Sequence, residues 1–277
     1  MGITLKAIQT LQAKSVLTSA TRGVLDVGSS NLYQATPQGI LEFLKVFGIG
    51  QDDASVAFAE KVARGSAYDN VSGGKNEAFV GELFERAGLR YEAIDIADGY
   101  RTTILDLNHQ PAPPEFVGAF DLVINFGTTE HLLNQYNAFK VLHDSVRIGG
   151  FIVHSLPCVG YANHGYFTYT PRCMFDLAGY NRYEVVDFWF EGPGNGNDLF
   201  QPLSDYSSYF PALTAATKTM KSREIGDYLS QMQLRDIALQ VVFRKVHAAP
   251  FLGALETTTS VGKIPESVRG EYQNTAR

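Results

Sequence analysis

Apolar positions recur along this chain in two periods, and stretches of one period alternate with stretches of the other. Ile3 to Ser19 reads as a helix or a helix-and-turn lead-in. Gly23 to Val27, "GVLDV", is a short apolar strand. Thr36 then supplies an N-cap and Pro37 a first helical residue, and Ile40, Leu41, Leu44 and Phe47 fall on one helical face that Gly48 closes. A second helix starts at Asp52 or Asp53, with Val56, Ala59 and Val62 on one face and Gly65 after it. A third opens at Asn76, carries Phe79, Val80, Leu83, Phe84 and Ala87, and ends at Gly88.

The strands then follow more densely. "RYEAIDIADG" is the second, ending in acids, and "TTILDLN" a short third, followed by the proline-rich loop "HQPAPPEF". "FDLVINFG" is an almost unbroken apolar run, as suits a parallel strand buried on both faces. "TTEHLLNQYNAFKVLHDSV" reads as one helix, "GGFIVHSLP" as the fifth strand, and "YTPRCMFDLAGYN" as a capped helix. "YEVVDFWFEG" and "IALQVVFRKV" are the sixth and seventh strands. Strands alternating with helices predict an α/β fold around a mostly parallel sheet. The prediction is one domain over residues 1–246, with a helical insertion at about 36–65 and a second insertion at about 191–236 carrying a helix from Arg223 to Leu234. Residues 247–277 are expected to form a C-terminal arm, polar and loosely ordered.

Composition narrows the class. A chain of 277 residues can bury a sizeable core without staples, and its formal charge of −6 offers no basic stripe for a nucleic-acid backbone. Two cysteines, Cys158 and Cys173, read as free thiols in a reducing compartment. There is no signal-like apolar run at the N-terminus and no span of membrane length. The expectation is a cytoplasmic protein with a small-molecule substrate and neither nucleic acid nor membrane as partner, its oligomeric state open, a homodimer included.

In parallel sheets ligands bind beyond the carboxyl ends of the strands. There the sequence puts Asp26, Gly28, Ser29, Ser30 and Asn31 after the first strand and Asp95 and Asp98 after the second. Asp106 lies in the third, and Asn125, Gly127, Thr128, Thr129, Glu130 and His131 follow the fourth. This rim has carboxylates and short polar groups but no lysine or arginine. A pyrophosphate would want cations or a glycine-rich nest. A cofactor with hydroxyls, an amino group and a sulfonium wants acids and carbonyls instead. "DVGSSNLY" also lacks the G-x-G-x-x-G of a nicotinamide dinucleotide site, which disfavours an oxidoreductase.

The ordered series "VLDVGSS", "YEAIDI", "ILDLN", "FDLVINFGTTEHL" and "AFKVLHDSVRIGGFIVHSLP" resembles the class I S-adenosylmethionine-dependent methyltransferases over roughly residues 22–190. The resemblance implies a Rossmann-like seven-stranded sheet in the order 3-2-1-4-5-7-6, strand 7 antiparallel, with helices on both faces. It implies S-adenosyl-L-methionine as cofactor and S-adenosyl-L-homocysteine as product. Asp26, Gly28, Ser29 and Ser30 match the turn at the methionine part. Asp95, with Ile96 beside it, matches the ribose position; Asp106 and Leu107 match the adenine position. Asn125 and Gly127 match the strand end that faces the transferred methyl group. Two departures stand out: serines replace the glycines usual at positions 29 and 30, and the insertion at 36–65 lengthens the path to strand two.

His131 lies beside the expected transfer point and His164 in the aromatic loop "CVGYANHGYFTYTP", so these two are the candidate general bases, with Glu130 adjoining. His154, inside the fifth strand, reads as a core histidine. No pair among Glu130, His131, His154 and His164 has the i, i+4 spacing of a helix-borne zinc site, so no metal is expected. The strand-four end "NFGT" and the single Glu130 depart from the motifs of amino-methylating DNA enzymes and protein-arginine enzymes; with the acidic charge and the aromatic loop, the expected reaction is methyl transfer to a small organic acceptor. The degraded glycine turn keeps a second reading open: a non-catalytic protein of the same fold that binds a ligand or partner. Both insertions are expected to shape the acceptor pocket.

Overall fold

A computed structural model of the chain describes residues 2–67, 77–161, 164–193, 200–202 and 236–253. Its first strands and helices are β1 (Gly2–Thr4), α1 (Leu5–Ala13), β2 (Gly23–Val27), β3 (Asn31–Tyr33), α2 (Pro37–Lys45), α3 (Asp53–Gly65), α4 (Val80–Arg86), β4 (Arg90–Asp95) and β5 (Thr102–Ile104). They are followed by β6 (Phe120–Phe126), α5 (Gln135–Ser145), β7 (Val146–Val159), α6 (Pro171–Tyr180), β8 (Glu184–Pro193), β9 (Phe200–Pro202) and β10 (Ile237–Arg244). The main sheet runs β5-β4-β2-β6-β7-β10-β8-β9, and β10 is antiparallel to both β7 and β8. The seven expected strands therefore stand in the expected order, with β9 added at the edge beside β8.

Alternation along the central strands explains the two layers. Val24 on β2 and Leu122 and Ile124 on β6 join a core with α1, α2, α3 and α4. Leu25 and Val27, with Val123, face the opposite core with α5 and α6. In α2, Thr36 caps the Gly39 amide, and Ile40, Leu41, Phe43 and Leu44 are all buried. Each such side chain contributes about 1.5–3 kcal/mol on burial, which fixes this inserted pair of helices to the sheet face. Gln9 and Gln12 of α1 donate to the Gly39 and Phe43 carbonyls of α2, tying the layer together. Among the described residues no helix is long and apolar enough to cross a membrane.

Several boundaries differ from the sequence reading. The lead-in contains β1 before its helix, and β1 pairs in parallel with β3 in a separate two-stranded sheet. Neither three-residue strand is long enough to show a period. The expected single helix from Thr128 is broken: Thr129–His131 is a 3-10 turn, and α5 starts only at Gln135, where Asn134 caps the Asn137 amide. The third expected helix starts at Val80, after Phe79; Asn76 lies outside the described residues. β5 stops at Ile104, so Asp106 sits in the turn beyond it. The Arg223–Leu234 helix and residues 254–277 also lie outside the described residues. The arm is docked where it is described: Phe251 is buried beside Tyr136 and His143, and Leu252 exchanges two hydrogen bonds with the Asn181 side chain.

Candidate functional site

The turn after β2 is built around a buried acid. Asp26 is fully buried, and its carboxylate accepts from the Ser30 amide (2.7 Å), the Ser30 hydroxyl (3.1 Å) and the Tyr91 hydroxyl (2.9 Å). Desolvation outweighs these bonds and pushes its pKa up to about 6. Asp26 thus closes the turn from beneath, and no face of it reaches the surface. Gly28 and Ser29 take positive φ, 123° and 42°, which turns the chain sharply at the strand end. The Ser29 hydroxyl accepts from Thr102 at 2.9 Å, and a Cβ at Gly99 would overlap it. Both serine side chains are therefore engaged inside the protein; the backbone of Gly28–Ser30 forms the turn itself.

The register of β4 places the second acid as expected, with Asp26 paired to Ala93 and Val27 to Ile94, so that Asp95 ends the strand. Asp95 is half-buried and accepts from the Ala97 amide at 3.0 Å; Ile96 beside it is 72% exposed. Asp106 is taken up locally, with His109 Nδ1 at 2.7 Å and the Asn108 amide at 2.9 Å, and the His109 bond holds its pKa below the usual range. Leu107 is buried in the core with α5, so the exposed apolar surface here is that of Ile96, not Leu107. Asn125 is also fully buried: it donates to Thr129 Oγ1 (2.9 Å) and lies 3.0 Å from His154 Nδ1, while its oxygen accepts the Thr128 and Thr129 amides. It positions the next turn and offers nothing to a ligand. His154 is the core histidine expected, its pKa lowered by burial to about 3.

A cavity of about 300 Å³ opens at the end of β6 and along the last part of β7. Gly2–Thr4, α1 and Tyr33 wall one side, Phe126, Gly127 and Ser155–Pro157 form the floor, and Glu191 and Gln240 close the far end. Gln240 donates to Ser155 Oγ (2.6 Å) and to Glu191 (3.1 Å), which also accepts from Trp189. No residue of 36–65 lines this cavity; the N-terminal segment takes the place expected of that insertion, while Glu191 begins the second insertion.

Glu130, Tyr161 and His164 form the rim. The turn carrying Glu130 is held by Gln135, whose amide donates to the Thr129 and Leu132 carbonyls, and by Tyr169, which donates to Gln135. The loop from His164 crosses directly over this turn: the Tyr166 and Phe167 amides donate to the Glu130 carbonyl at 2.8 and 3.2 Å. Gly165 permits the crossing, since a Cβ there would sit 2.9 Å from Glu130 Cγ and from its carbonyl oxygen. Gly165→Ala is expected to cost about 1–3 kcal/mol of stability in urea unfolding.

The crossing brings His164 Nε2 to 3.3 Å from Glu130 Oε1, without hydrogen-bond alignment. Glu130 is fully buried, neither of its carboxylate oxygens has a hydrogen-bond partner among the described residues, and burial lifts its pKa to about 7. The His131 ring lies edge-on to His164, centroids 4.8 Å apart, and its pKa is lowered by burial and by His164. His131 itself does not line the cavity. The structure thus brings Glu130, His131 and His164 together. The far-end group of Glu191 and Gln240 was missed by the sequence reading, although Gln240 is the one polar residue inside the apolar run "IALQVVF" and could have signalled it.

No known family profile matches the chain, and no curated protein does. Solved structures do match. One is a SAM-dependent methyltransferase from Archaeoglobus fulgidus, at 11% identity over 87% of this chain and 94% of that one, TM-score 0.43. Another is an O-methyltransferase from a trans-AT PKS multienzyme of Brevibacillus brevis, in complex with S-adenosyl-L-homocysteine, at 12% identity over 86% and 71%, TM-score 0.40. A third is a Burkholderia thailandensis 1,6-didemethyltoxoflavin-N1-methyltransferase, at 11% identity over 87% and 82%, TM-score 0.38. The architecture, an α/β Rossmann-like sheet in which β10 and the edge strand β9 run antiparallel to the others, rests on this chain's own strand order.

Proposed function

We propose that the protein transfers a methyl group from S-adenosylmethionine to a small organic acceptor. The observation that carries this reading is the position of the cavity: it adjoins Gly127 at the end of β6, and the pair Glu130–His164 stands on its rim.

The strand ends suit the cofactor. Half-buried Asp95 next to exposed Ile96 offers a carboxylate for ribose hydroxyls beside apolar surface for a flat base. In the Gly28–Ser30 turn the Gly28 and Ser30 amides are bonded to the Ile94 carbonyl and to Asp26, so Ser29, at positive φ, is the backbone position that would receive the amino-acid end. Bound S-adenosylmethionine supplies a methyl carbon made electrophilic by its sulfonium. The protein's part is to hold the acceptor in line, keep water out and remove a proton. Phe126, Leu156 and Pro157 supply the apolar floor; His164, with Glu130 behind it, is the group placed to accept the acceptor's proton.

The test is calorimetric titration with S-adenosylmethionine and S-adenosylhomocysteine. Both are expected to bind, and Asp95→Ala is expected to weaken binding roughly 10- to 100-fold, the value of a charge-assisted hydrogen bond. Absence of binding to the wild-type chain overturns the proposal. Binding without any methylated product from a metabolite extract would favour the non-catalytic reading, which the internally engaged Ser29 and Ser30 hydroxyls support.

A further inference from the structure

We infer that Glu130, His131 and His164 form a site for one divalent transition-metal ion at the mouth of the cavity. One carboxylate oxygen and one ring nitrogen from each histidine all lie within 4.8 Å of one another. Bonds of about 2.0–2.1 Å to a tetrahedral ion put neighbouring ligands about 3.4 Å apart. The Glu130–His164 edge, at 3.3 Å, already has that length. His131 and His164 are exposed, so a ring rotation at the surface closes the remaining edges.

Burial supplies the second, independent observation. A fully buried carboxylate whose oxygens have no hydrogen-bond partner among the described residues is a costly arrangement, because folding strips its water and returns only the unaligned contact with His164. A cation bridging it to two imidazoles restores what it lacks. Two nitrogens and one oxygen suit zinc, cobalt or nickel better than magnesium or calcium, which take oxygen ligands. Three protein ligands leave a position open, and Glu130 and His164 line the cavity into which it would face. Helix-borne spacing could not reveal this site, since its donors come from a 3-10 turn and from a loop that crosses it.

Ion binding stands without the methyl-transfer reading. Its role rests on that reading: an acceptor oxygen or nitrogen in the open position would lose its proton more readily. A ring nitrogen bound to an ion is not a base, so in the loaded protein the ion would instead lower the pKa of the bound acceptor, whose proton would leave to solvent water at the open mouth of the cavity.

The experiment uses the full chain without a tag. Dialysis against Co²⁺ is expected to leave one ion per chain with visible absorption bands that Zn²⁺ abolishes. Glu130→Gln, His131→Ala and His164→Ala are each expected to weaken binding by more than about 100-fold, beyond the loss typical of an outer-shell partner. His109→Ala, which removes the separate His109–Asp106 pair, is expected to leave binding unchanged. Thermal melts of the two exposed-histidine variants confirm that they fold. The proposal is overturned if the wild-type chain retains no ion, or if His131→Ala and His164→Ala both fold and keep wild-type affinity. Ion binding without S-adenosylmethionine binding would sink only the transfer reading; the converse would sink only the metal site.

Discussion

Asp26→Asn is expected to stabilise the protein at pH 8 and leave it nearly unchanged at pH 4. The Asp26 carboxyl is fully buried and its folded pKa is raised from 3.8 to about 6. A raised acid favours the folded state only while protonated. Its contribution is complete below the unfolded pKa and is lost as pH rises through about 6, a difference of about 3 kcal/mol. Asparagine keeps the shape and an oxygen for the Ser30 amide and Tyr91 hydroxyl, without the charge. His154 runs the other way. Its folded pKa is lowered from 6.5 to about 3 by burial, so its contribution is present above 6.5 and is lost as pH falls, by about 3 kcal/mol at pH 4. His154→Gln loses ring packing against Phe139 and Phe243 at pH 7, but its deficit relative to wild type should shrink by that amount at pH 4. His143, held at about 4 by burial and by Lys245, has the sign of His154; Glu130 has that of Asp26. In the wild-type profile the two acids and the two histidines therefore oppose each other, and the variants separate their contributions. Urea unfolding at pH 4, 6 and 8 reads this directly; an Asp26→Asn curve parallel to wild type would refute the buried-charge account.

The sheet was legible because its strands announce themselves. "GVLDV" and "FDLVINF" are apolar on both faces, as parallel strands between two helical layers must be, and their order follows from the resemblance over residues 22–190. The inserted helices were legible from Thr36-Pro37, Asp52 and the stripes that follow. What was not legible is where these helices pack. Periodicity shows that α2 has a buried face but not what it faces, and that face meets the sheet core, not the cavity. The wall of the cavity comes instead from β1 and β3, whose three-residue pairing leaves no periodic trace.

The site divides in the same way. The strand-end acids were found because position relative to a strand is a sequence property. Which of them faces outward is not. Asp26 and Asn125 turn inward because the turns they precede need acceptors for buried amides, while Asp95 remains at the surface. Leu107 belongs to the core, and Ile96 carries the exposed apolar surface in its place. Glu130, His131 and His164 were each named, but their meeting depends on a loop crossing that only Gly165 allows.

On the methyl-transfer reading, in protein freed of divalent ions so that the ring is a base and not a ligand, His164→Ala is expected to lower kcat by about 10²- to 10⁴-fold, the range for loss of a positioned base, or about 3–5 kcal/mol in the barrier. Affinity for S-adenosylhomocysteine should not change, since His164 lies on the cavity rim, apart from Asp95 and the Gly28–Ser30 turn. His131→Ala should cost less, about 10-fold, because its ring touches His164 and does not line the cavity. Glu130→Gln should resemble His164→Ala, because a buried amide cannot stabilise the imidazolium that forms when the proton arrives. Imidazole added to His164→Ala discriminates further. His164 is 44% exposed in its side chain, so the space its ring leaves is open to solvent and a free imidazole can enter it. Partial recovery of kcat, rising with imidazole concentration and absent for Glu130→Gln, marks His164 as a proton acceptor. A kcat unchanged in His164→Ala, with the product still formed, would remove the rim pair from the reaction and leave orientation in the cavity as the main source of rate.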